Sequence, residues 1–436
     1  MKRSCFLLLS LFFFIKAAAQ QKPNFIIIYA DDLGYGDIGI NGHPGIQTPN
    51  LDQMAIEGIR FSNYYSASPA CTASRYALLT GKYPSRAGFR WVLSPNATRG
   101  IHSKEQTMAE LLKDDGYQTA IFGKWHLGSS NRSFLPLANG FDEYVGLPYS
   151  NDMIPPKYPP IALLNGYDTI TVNPDQSTLT RIYTEKATAF IKRNRERPFF
   201  VYLPYAMPHT PLFASARFRG SSKRGKFGDV VQELDFYIGR LISCLKEEGL
   251  NKNTYVIFTS DNGPWVKQNQ AGGSAGLFRD GKGSTWEGGM REPFILWGHH
   301  SIPRGKVVSE VFTALDIFPT IATLAGKARP KNRIDGHPYA DLWKGVGTGR
   351  AEFYYVGIEH QLMAVRKGPW KLHIKTYSQL GIDYFEKGKP LLFNLDEDPS
   401  EKYDLASKYP DRVKELSLLI RKKDEEIKQT GSFWDQ

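Results

Sequence analysis

Cysteine is scarce in this chain of 436 residues, with three in all, at positions 5, 71 and 244. So few cannot form the disulfide framework of a small secreted domain, and a packed core has to hold the fold. No cysteine or histidine pair has the spacing of a zinc site, which excludes the usual structural zinc motifs. Beyond the first twenty residues no apolar run approaches the length of a membrane span. Signs of disorder are missing as well, since 41% of residues are hydrophobic, 13% aromatic and 23% charged. The chain is long enough for a sizeable core, organised as two or three domains or as one large α/β domain with an appendage.

The N-terminus has its own pattern. Lys2 and Arg3 precede an apolar run from Phe6 to Ile15, followed by Lys16 and Ala17-Ala18-Ala19. A positive start, an apolar stretch too short to span a bilayer and small residues at the end read as a secretory signal peptide over 1–19. The remaining protein is expected outside the cytoplasm, in the periplasm or the extracellular space. Its removal takes away Lys2, Arg3 and Lys16 and lowers the formal charge from +11 to +8. A basic surface suits an anionic substrate but does not define a chemistry. Cys244 falls within the apolar pattern Val230, Val231, Leu234, Ile238, Leu241, Ile242, Leu245, so it is expected as a packed helix residue.

Strands alternate with helices, and four strands end in reactive side chains. Asn24 to Tyr29 runs into Asp31-Asp32. Tyr117 to Phe122 runs into Gly123-Lys124-Trp125-His126, after a helix that opens with the capping box Thr107-Met108-Ala109-Glu110. Phe199 to Leu203 leads to Pro208-His209-Thr210-Pro211, and Thr254 to Thr259 ends in Asp261-Asn262-Gly263. In open α/β sheets ligands bind beyond the carboxyl ends of the strands, where loops converge on a rigid frame. Each cluster alone could be a turn or a helix cap; four in the same position read as one site. Asp31, Asp32, Asp261 and Asn262 offer hard oxygen ligands, which suit calcium, with magnesium as the alternative.

Cys71 stands in Ser68-Pro69-Ala70-Cys71-Thr72-Ala73-Ser74-Arg75, ahead of Tyr76-Ala77-Leu78-Leu79-Thr80-Gly81. The second part reads as a short helix stopped by Gly81, which puts Cys71 at a helix N-terminus, where backbone N–H groups favour anions. From the residues alone, Cys71 is either a low-pKa thiolate nucleophile or a buried cysteine beside a turn.

The run Cys71-Thr72-Ala73-Ser74-Arg75 with Leu78-Leu79-Thr80-Gly81 resembles the signature of the type I sulfatases, in which the cysteine is oxidised to formylglycine. The common signature has proline where Ala73 stands, a known point of variation. The other motifs follow in the family's order: Asn24 to Gly36, Gly123 to Gly128, Gly146 to Ser150, Asp261-Asn262-Gly263, Gly281-Lys282-Gly283, Glu287-Gly288-Gly289 and Arg291-Glu292-Pro293. Gly146 to Ser150 and Leu392 to Asp396, with Asp398-Pro399, are most similar to the motifs of arylsulfatase A and N-acetylgalactosamine-6-sulfatase. The resemblance implies an alkaline phosphatase-like α/β fold, a large mixed β-sheet sandwiched by helices. It also implies a smaller C-terminal antiparallel sheet plus helix, with the catalytic domain over 20–345 and the C-terminal part over 346–436.

The resemblance further implies a hydrated aldehyde at position 71 that attacks sulfur and later expels sulfate as it collapses, and a metal held by Asp31, Asp32, Asp261 and Asn262. Lys124, Lys282 and Ser150 would bind the sulfate oxygens, and Arg75 would hold the diol. His126 would be the base of the collapse step, His209 the acid for the leaving oxygen, and His373 a substrate contact. The expected partners are a sulfated small molecule or glycan and a formylglycine-generating maturation enzyme, with no nucleic acid and no membrane span. Two rival readings stay open at this point: a phosphate or phosphonate monoester hydrolase of the same superfamily, and a silent glycan-binding homologue. Trp265, Trp286 and Tyr149 are candidates to stack on a sugar or to pack in the core. Gly272 to Gly276 reads as a mobile loop, and the loops from Arg86 to Gly100 and from Asn151 to Pro160 as the specificity pocket.

Overall fold

The computed structural model describes residues 22–89, 92–326, 330–381 and 388–435. The segment 1–19, read above as an export signal, lies outside them.

Period-2 alternation inside uniformly apolar strands determines the architecture. In Asn24–Ala30 every residue is buried. Phe25, Ile27 and Tyr29 join one core cluster and Ile26, Ile28 and Ala30 the other. A strand apolar on both faces needs cover on both sides, the condition that produces a parallel sheet between helical layers. Phe199–Pro204 behaves the same way, with Phe200 and Tyr202 on one side and Phe199, Val201 and Leu203 on the other.

Ten strands form the main sheet. Asn24–Ala30 lies between Phe199–Pro204 and Thr254–Ser260, parallel to both. Gln118–Phe122 adds in parallel beside Phe199–Pro204, and Glu143–Gly146 beyond it. Phe294–Gly298 is antiparallel to Thr254–Ser260, and the strands Ala162–Asn165 and Asp168–Val172 close the opposite edge as an antiparallel pair. The sheet is therefore mixed, and the four strands singled out in the sequence are its contiguous parallel centre.

One face is covered by Cys71–Thr80, Met108–Lys113 and Ala314–Leu324, the other by Pro49–Glu57, Leu179–Arg193 and Lys226–Glu247. Thr107 caps its helix as expected, accepting from the Glu110 N–H while Glu110 accepts from the Thr107 N–H. Cys244 is buried in the second layer. Among the described residues no helix is long and apolar enough to cross a membrane.

A second sheet of four antiparallel strands follows, in the order Glu352–Val356, Leu362–Lys367, Trp370–His373, Leu391–Asn394. The terminal helix Pro410–Thr430 lays Leu416, Ile420 and Ile427 into the main core cluster, with Val413 packed at its margin. An ionic clasp adds direction to that apolar seam. Asp335 accepts from Arg86 at 2.9 Å through both Nε and Nη2, from the Tyr83 N–H at 2.9 Å and from Lys423 of the terminal helix at 3.1 Å. Burial raises the Asp335 carboxyl, but Arg86 and Lys423 outweigh it and hold it at about 2.

Asp335→Asn leaves Arg86 without its buried partner, and a loss of about 3–5 kcal/mol in chemical denaturation is expected. The folded pKa lies below the unfolded value of about 3.9. The stabilisation is therefore complete above that value and disappears as pH falls through about 2. The variant should lose the corresponding part of the acid dependence.

A second buried network ties the four-stranded sheet to the short helix Glu287–Met290 and to the two-residue strand Tyr64–Tyr65. Glu287 accepts from Tyr65 at 2.7 Å, Tyr355 at 2.9 Å and Lys371 at 2.9 Å. Glu287 and Lys371 are both fully buried, so the Glu-Gly-Gly motif around Glu287 is a structural junction that anchors the four-stranded sheet. Its glycines lie within that helix, where a Cβ on Gly289 would stand 2.2 Å from the Ser284 carbonyl oxygen.

Candidate active site

The carboxyl ends of the four central strands converge as the sequence pattern implied. Asp31 and Asp32 follow the first strand, and Asp32 has a φ of 63°. His126, beyond the second, has a φ of 60°. Left-handed backbone at two side-chain-bearing residues is the kind of local strain that clusters at functional sites. Gly123 is obligatory. Its φ is 140°, and a Cβ there would stand 1.9 Å from the Pro204 carbonyl oxygen. Only glycine lets the strand ends approach closely enough to bring Lys124 inward.

Cys71 opens the helix Cys71–Thr80, whose N-cap, Ala70, supplies no side-chain cap, and Gly81 ends it with a φ of 67°. The first-turn N–H groups are thus available to an anion. The Cys71 thiol is buried, and its pKa is pushed up to about 11, by burial first and then by Asp31 and Asp261, against the pull of Lys124 and Lys282. A thiol this hard to ionise is a poor nucleophile near neutral pH. Burial and the two aspartates thus favour the neutral thiol over a thiolate here.

Three carboxylates and three cations interlock beside it. Lys124 Nζ donates to Asp31 Oδ2 at 2.5 Å and to Ser150 Oγ at 3.1 Å. Arg75 Nη2 donates to Asp261 Oδ2 at 2.7 Å, and Nη1 to the Lys124 carbonyl at 2.9 Å. Lys282 Nζ donates to Asp32 Oδ2 at 2.8 Å. Asn262 Nδ2 donates to Asp32 Oδ1 at 2.8 Å, and the Asp32 N–H to Asp261 Oδ1 at 3.1 Å.

Two buried oxygens in this cluster, Asp31 Oδ1 and Asn262 Oδ1, have no hydrogen-bond partner. Burial and the charge of Asp31 raise the Asp261 carboxyl. Orphaned hard oxygens among crowded carboxylates are the donor set a calcium-like cation takes up, so the residues fit a divalent metal. Asp31, Asp32 and His209 bring ligand atoms within 4.8 Å of one another. His209, absent from the oxygen set read in the sequence, thus stands at its edge.

The two histidines are held differently. His126 Nε2 lies 2.9 Å from the Leu93 carbonyl oxygen and must donate to it, which leaves the buried, unpartnered Nδ1 as the basic nitrogen. Burial, Lys124 and Arg75 hold its pKa well below the ordinary imidazole value. His209 donates Nδ1–H to the Thr210 carbonyl at 2.5 Å and presents Nε2 3.6 Å from Asp32 Oδ2. Burial and Lys282 lower its pKa too.

A cavity of about 290 Å³ opens over this cluster, lined by Cys71, Ser150, His209 and Lys282 among the residues sought. Both loops expected to shape it contribute, with Val92 from one and Asp152, Met153 and Tyr158 from the other. Of the three aromatics, Trp265 lines the cavity. Trp286 instead packs with Leu391, Phe393 and Leu395, and the Tyr149 hydroxyl donates to the Pro160 carbonyl.

His373 does not line the cavity. It is buried, with Nε2 2.8 Å from Glu401 and its ring 4.4 Å from that of Trp286; the junction with Glu287 and Lys371 occupies it. The stretch from Gly272 to Gly276, expected to be mobile, is bound to the core. The Ser274 N–H donates to Asp37 at 2.8 Å, and the Ser274 carbonyl accepts from Gly36 at 2.9 Å. Sequence reading missed Ile358, Tyr377 and Gln379, which the C-terminal part contributes to the cavity wall. No periodicity or motif marks them.

Lysines, an arginine and a cation-ready carboxylate cluster around one helix N-terminus, at the carboxyl edge of a mixed sheet, suit the ester of an oxyanion. Comparison makes the class specific. The Sulfatase family matches residues 23–327, and the C-terminal region of aryl-sulfatase matches residues 349–435. The chain belongs to the sulfatase family, and it is a sulfatase enzyme.

The dog (Canis lupus familiaris) N-acetylgalactosamine-6-sulfatase is 39% identical, over 93% of this chain and 86% of its own length. Arylsulfatase A of Bos taurus is 38% identical, over 92% and 88%. Among solved structures, a sulfatase from Pseudoalteromonas sp. superposes with a TM-score of 0.84 at 28% identity, covering 94% of this chain and 91% of that one. A sulfatase structure from work on glycosaminoglycan metabolism by Bacteroides thetaiotaomicron gives 0.83 at 29% identity, covering 93% and 100%.

Proposed function

We propose that the protein is an exported sulfatase that removes sulfate from a sulfated glycan, with formylglycine made from Cys71 by a maturation enzyme and with bound calcium. The observation that carries this reading is the pairing of the orphaned Asp31 and Asn262 oxygens with Lys124, Lys282 and Arg75 around Cys71. The N-terminal pattern of residues 1–19 supports export, to the periplasm or the exterior. A glycan substrate is supported by the relatives named as N-acetylgalactosamine-6-sulfatases and by a cavity near the lower end of the range of about 300–1,000 Å³ for ligand pockets.

Asp31, Asp32, Asp261 and Asn262 would hold the calcium, which as a Lewis acid offsets negative charge on sulfate oxygens. Formylglycine at position 71, once hydrated, would supply a hydroxyl as nucleophile toward sulfur. The chain's own residues do the rest. Lys124 and Lys282 exchange a carboxylate partner for sulfate oxygens, and Ser150 adds a hydroxyl to the same cradle. Arg75, buried and fixed by Asp261 and the Lys124 carbonyl, holds the residue-71 end of the site positive. His126 Nδ1 is set to take a proton. His209 Nε2, open to the cavity, is set to give one to the leaving oxygen once protonated.

A base must be neutral to act, and the His126 pKa is held well below the ordinary value of about 6.5. The acidic limb of kcat/KM should therefore lie below that value, and activity should persist as pH falls through 6. His126→Ala should lose about 10²–10⁴-fold. A limb centred at or above 6.5 in the wild type would count against this role.

The function is tested by measuring sulfate release from 4-nitrophenyl sulfate and from sulfated saccharides, with 4-nitrophenyl phosphate as comparison. Sulfate release with little phosphate release is expected, together with a rise in melting temperature when calcium is returned to chelated protein. Saturation to 100 times the Kd stabilises a folded protein by about 2.7 kcal/mol. Preference for the phosphate ester would overturn the substrate reading, and indifference of both stability and activity to chelation would overturn the metal.

A further inference from the structure

The catalytic cavity is built to receive an anion, yet one carboxylate lines it, that of Asp152. Asp152 stands two residues past Ser150 on a turn closed by the Met153 N–H to the Ser150 carbonyl at 3.1 Å and the Ile154 N–H to the Asp152 carbonyl at 3.0 Å. The neighbouring Asn151 is buried and bonded to Gln176 at 3.1 Å, so the turn is pinned. The Asp152 side chain is only part-covered. Among the described residues it has no lysine or arginine within ion-pair distance, and Lys282 and Lys124 bond Asp32 and Asp31 instead. Burial raises its carboxyl, but His209, the Ser150 hydroxyl, Lys124 and Lys282 outweigh that and lower it. The group faces substrate as an ionised, acceptor-only side chain with unused lone pairs.

No step assigned above uses Asp152, and a negative charge beside the sulfate cradle opposes binding of the sulfate itself. Such a charge earns its place only if the substrate brings a donor to it. The rest of the wall, Trp265, Tyr158, Tyr377 and Met153, offers flat apolar surface for the C–H face of a ring.

We propose that Asp152 is a specificity-determining residue: it accepts a hydrogen bond from a free hydroxyl or amide N–H on the sugar ring that carries the scissile sulfate, and it excludes rings bearing a second sulfate or a carboxylate next to it. This rests on the sulfatase reading and adds the substrate class, a ring with a single anionic group in the cavity. Two effects enforce the choice. A substrate without the donor leaves the carboxylate desolvated and unpaired, and one with a second anion meets like charge in a water-poor cavity.

The experiment uses the matured full-length enzyme, Asp152→Asn and Asp152→Ala. Three kinds of substrate are compared: 4-nitrophenyl sulfate, a panel of monosulfated hexoses and N-acetylhexosamines, and the preferred sugar with a second sulfate on the adjoining hydroxyl. Ratios of kcat/KM between substrates are read, because they cancel any loss of folded enzyme. Asp152→Ala should lower the monosulfated-sugar to aryl-sulfate ratio by about 10–10²-fold, the scale of one hydrogen bond to a charged group. Asp152→Asn, which keeps an acceptor and removes the charge, should raise the disulfated-to-monosulfated ratio by about tenfold or more.

Ratios unmoved in variants that still release sulfate would overturn the role of Asp152 and leave the sulfatase reading intact. Wild-type release from the aryl ester alone would also overturn it. Wild-type failure on every substrate would instead overturn the sulfatase reading, and this proposal with it.

Discussion

Cys71→Ser should stop catalytic turnover, with kcat/KM falling on the order of 10⁴–10⁶-fold, the scale seen when a covalent nucleophile is removed. The fold should be undisturbed, because a hydroxyl is smaller than the buried thiol it replaces. The expectation follows from the chemistry. A serine hydroxyl offers one oxygen, so once sulfated it has no second hydroxyl to expel the sulfate, and release would need a fresh attack at sulfur. The sulfated serine should therefore be trapped at up to one equivalent per enzyme, detectable by intact mass. The buried thiol near pKa 11 makes the same point from the other side. In the proposed mechanism neither an unmodified cysteine nor a serine is the working group at this position. Multiple turnovers by the serine variant at more than a hundredth of the wild-type rate would refute the mechanism.

Lys124→Ala is the second large effect. Lys124 bridges Asp31 and Ser150 from a position with no solvent exposure, and in the proposed mechanism it combines a sulfate donor with a counter-charge. Loss of one preorganised donor costs about 10²–10³-fold in kcat, and leaving Asp31 without its lysine destabilises the protein by about 3–5 kcal/mol. The two losses are separable. Saturating calcium should restore part of the stability, since a cation replaces the missing charge, while kcat stays low. A variant with full stability and near-wild-type kcat would place Lys124 outside the site.

Most of the site was legible because its residues lie at strand ends within short, chemically loaded motifs. The buried strands, apolar on both faces, were visible as β-branched runs, and Asp31, Lys124, His209 and Asp261 each follow such a run by a few residues. The capping box at Thr107 and the stop at Gly81 needed only local rules. What was hidden depends on long-range packing. His373 carries the same residue letters whether it faces substrate or Glu401, and only the placement of the second sheet shows that Glu287, Lys371 and Glu401 enclose it. The stretch from Gly272 to Gly276 reads as flexible until Asp37, more than 230 residues earlier, binds the Ser274 N–H. Tyr377 and Gln379 reach the cavity from a loop without pattern. Asp152 was in plain view beside Ser150, but a lone aspartate after a turn carries no signal until the fold sets its carboxylate in the wall of the cavity.

The central claim is that residue 71 works as formylglycine, and mass spectrometry of the tryptic peptide ending at Arg75 tests it most directly, on protein made in a host that matures alanine-variant motifs. The account predicts a peptide lighter than the encoded one by the replacement of the thiol-bearing carbon with an aldehyde, in proportion to specific activity across preparations. A fully active preparation carrying only the unmodified thiol would contradict it.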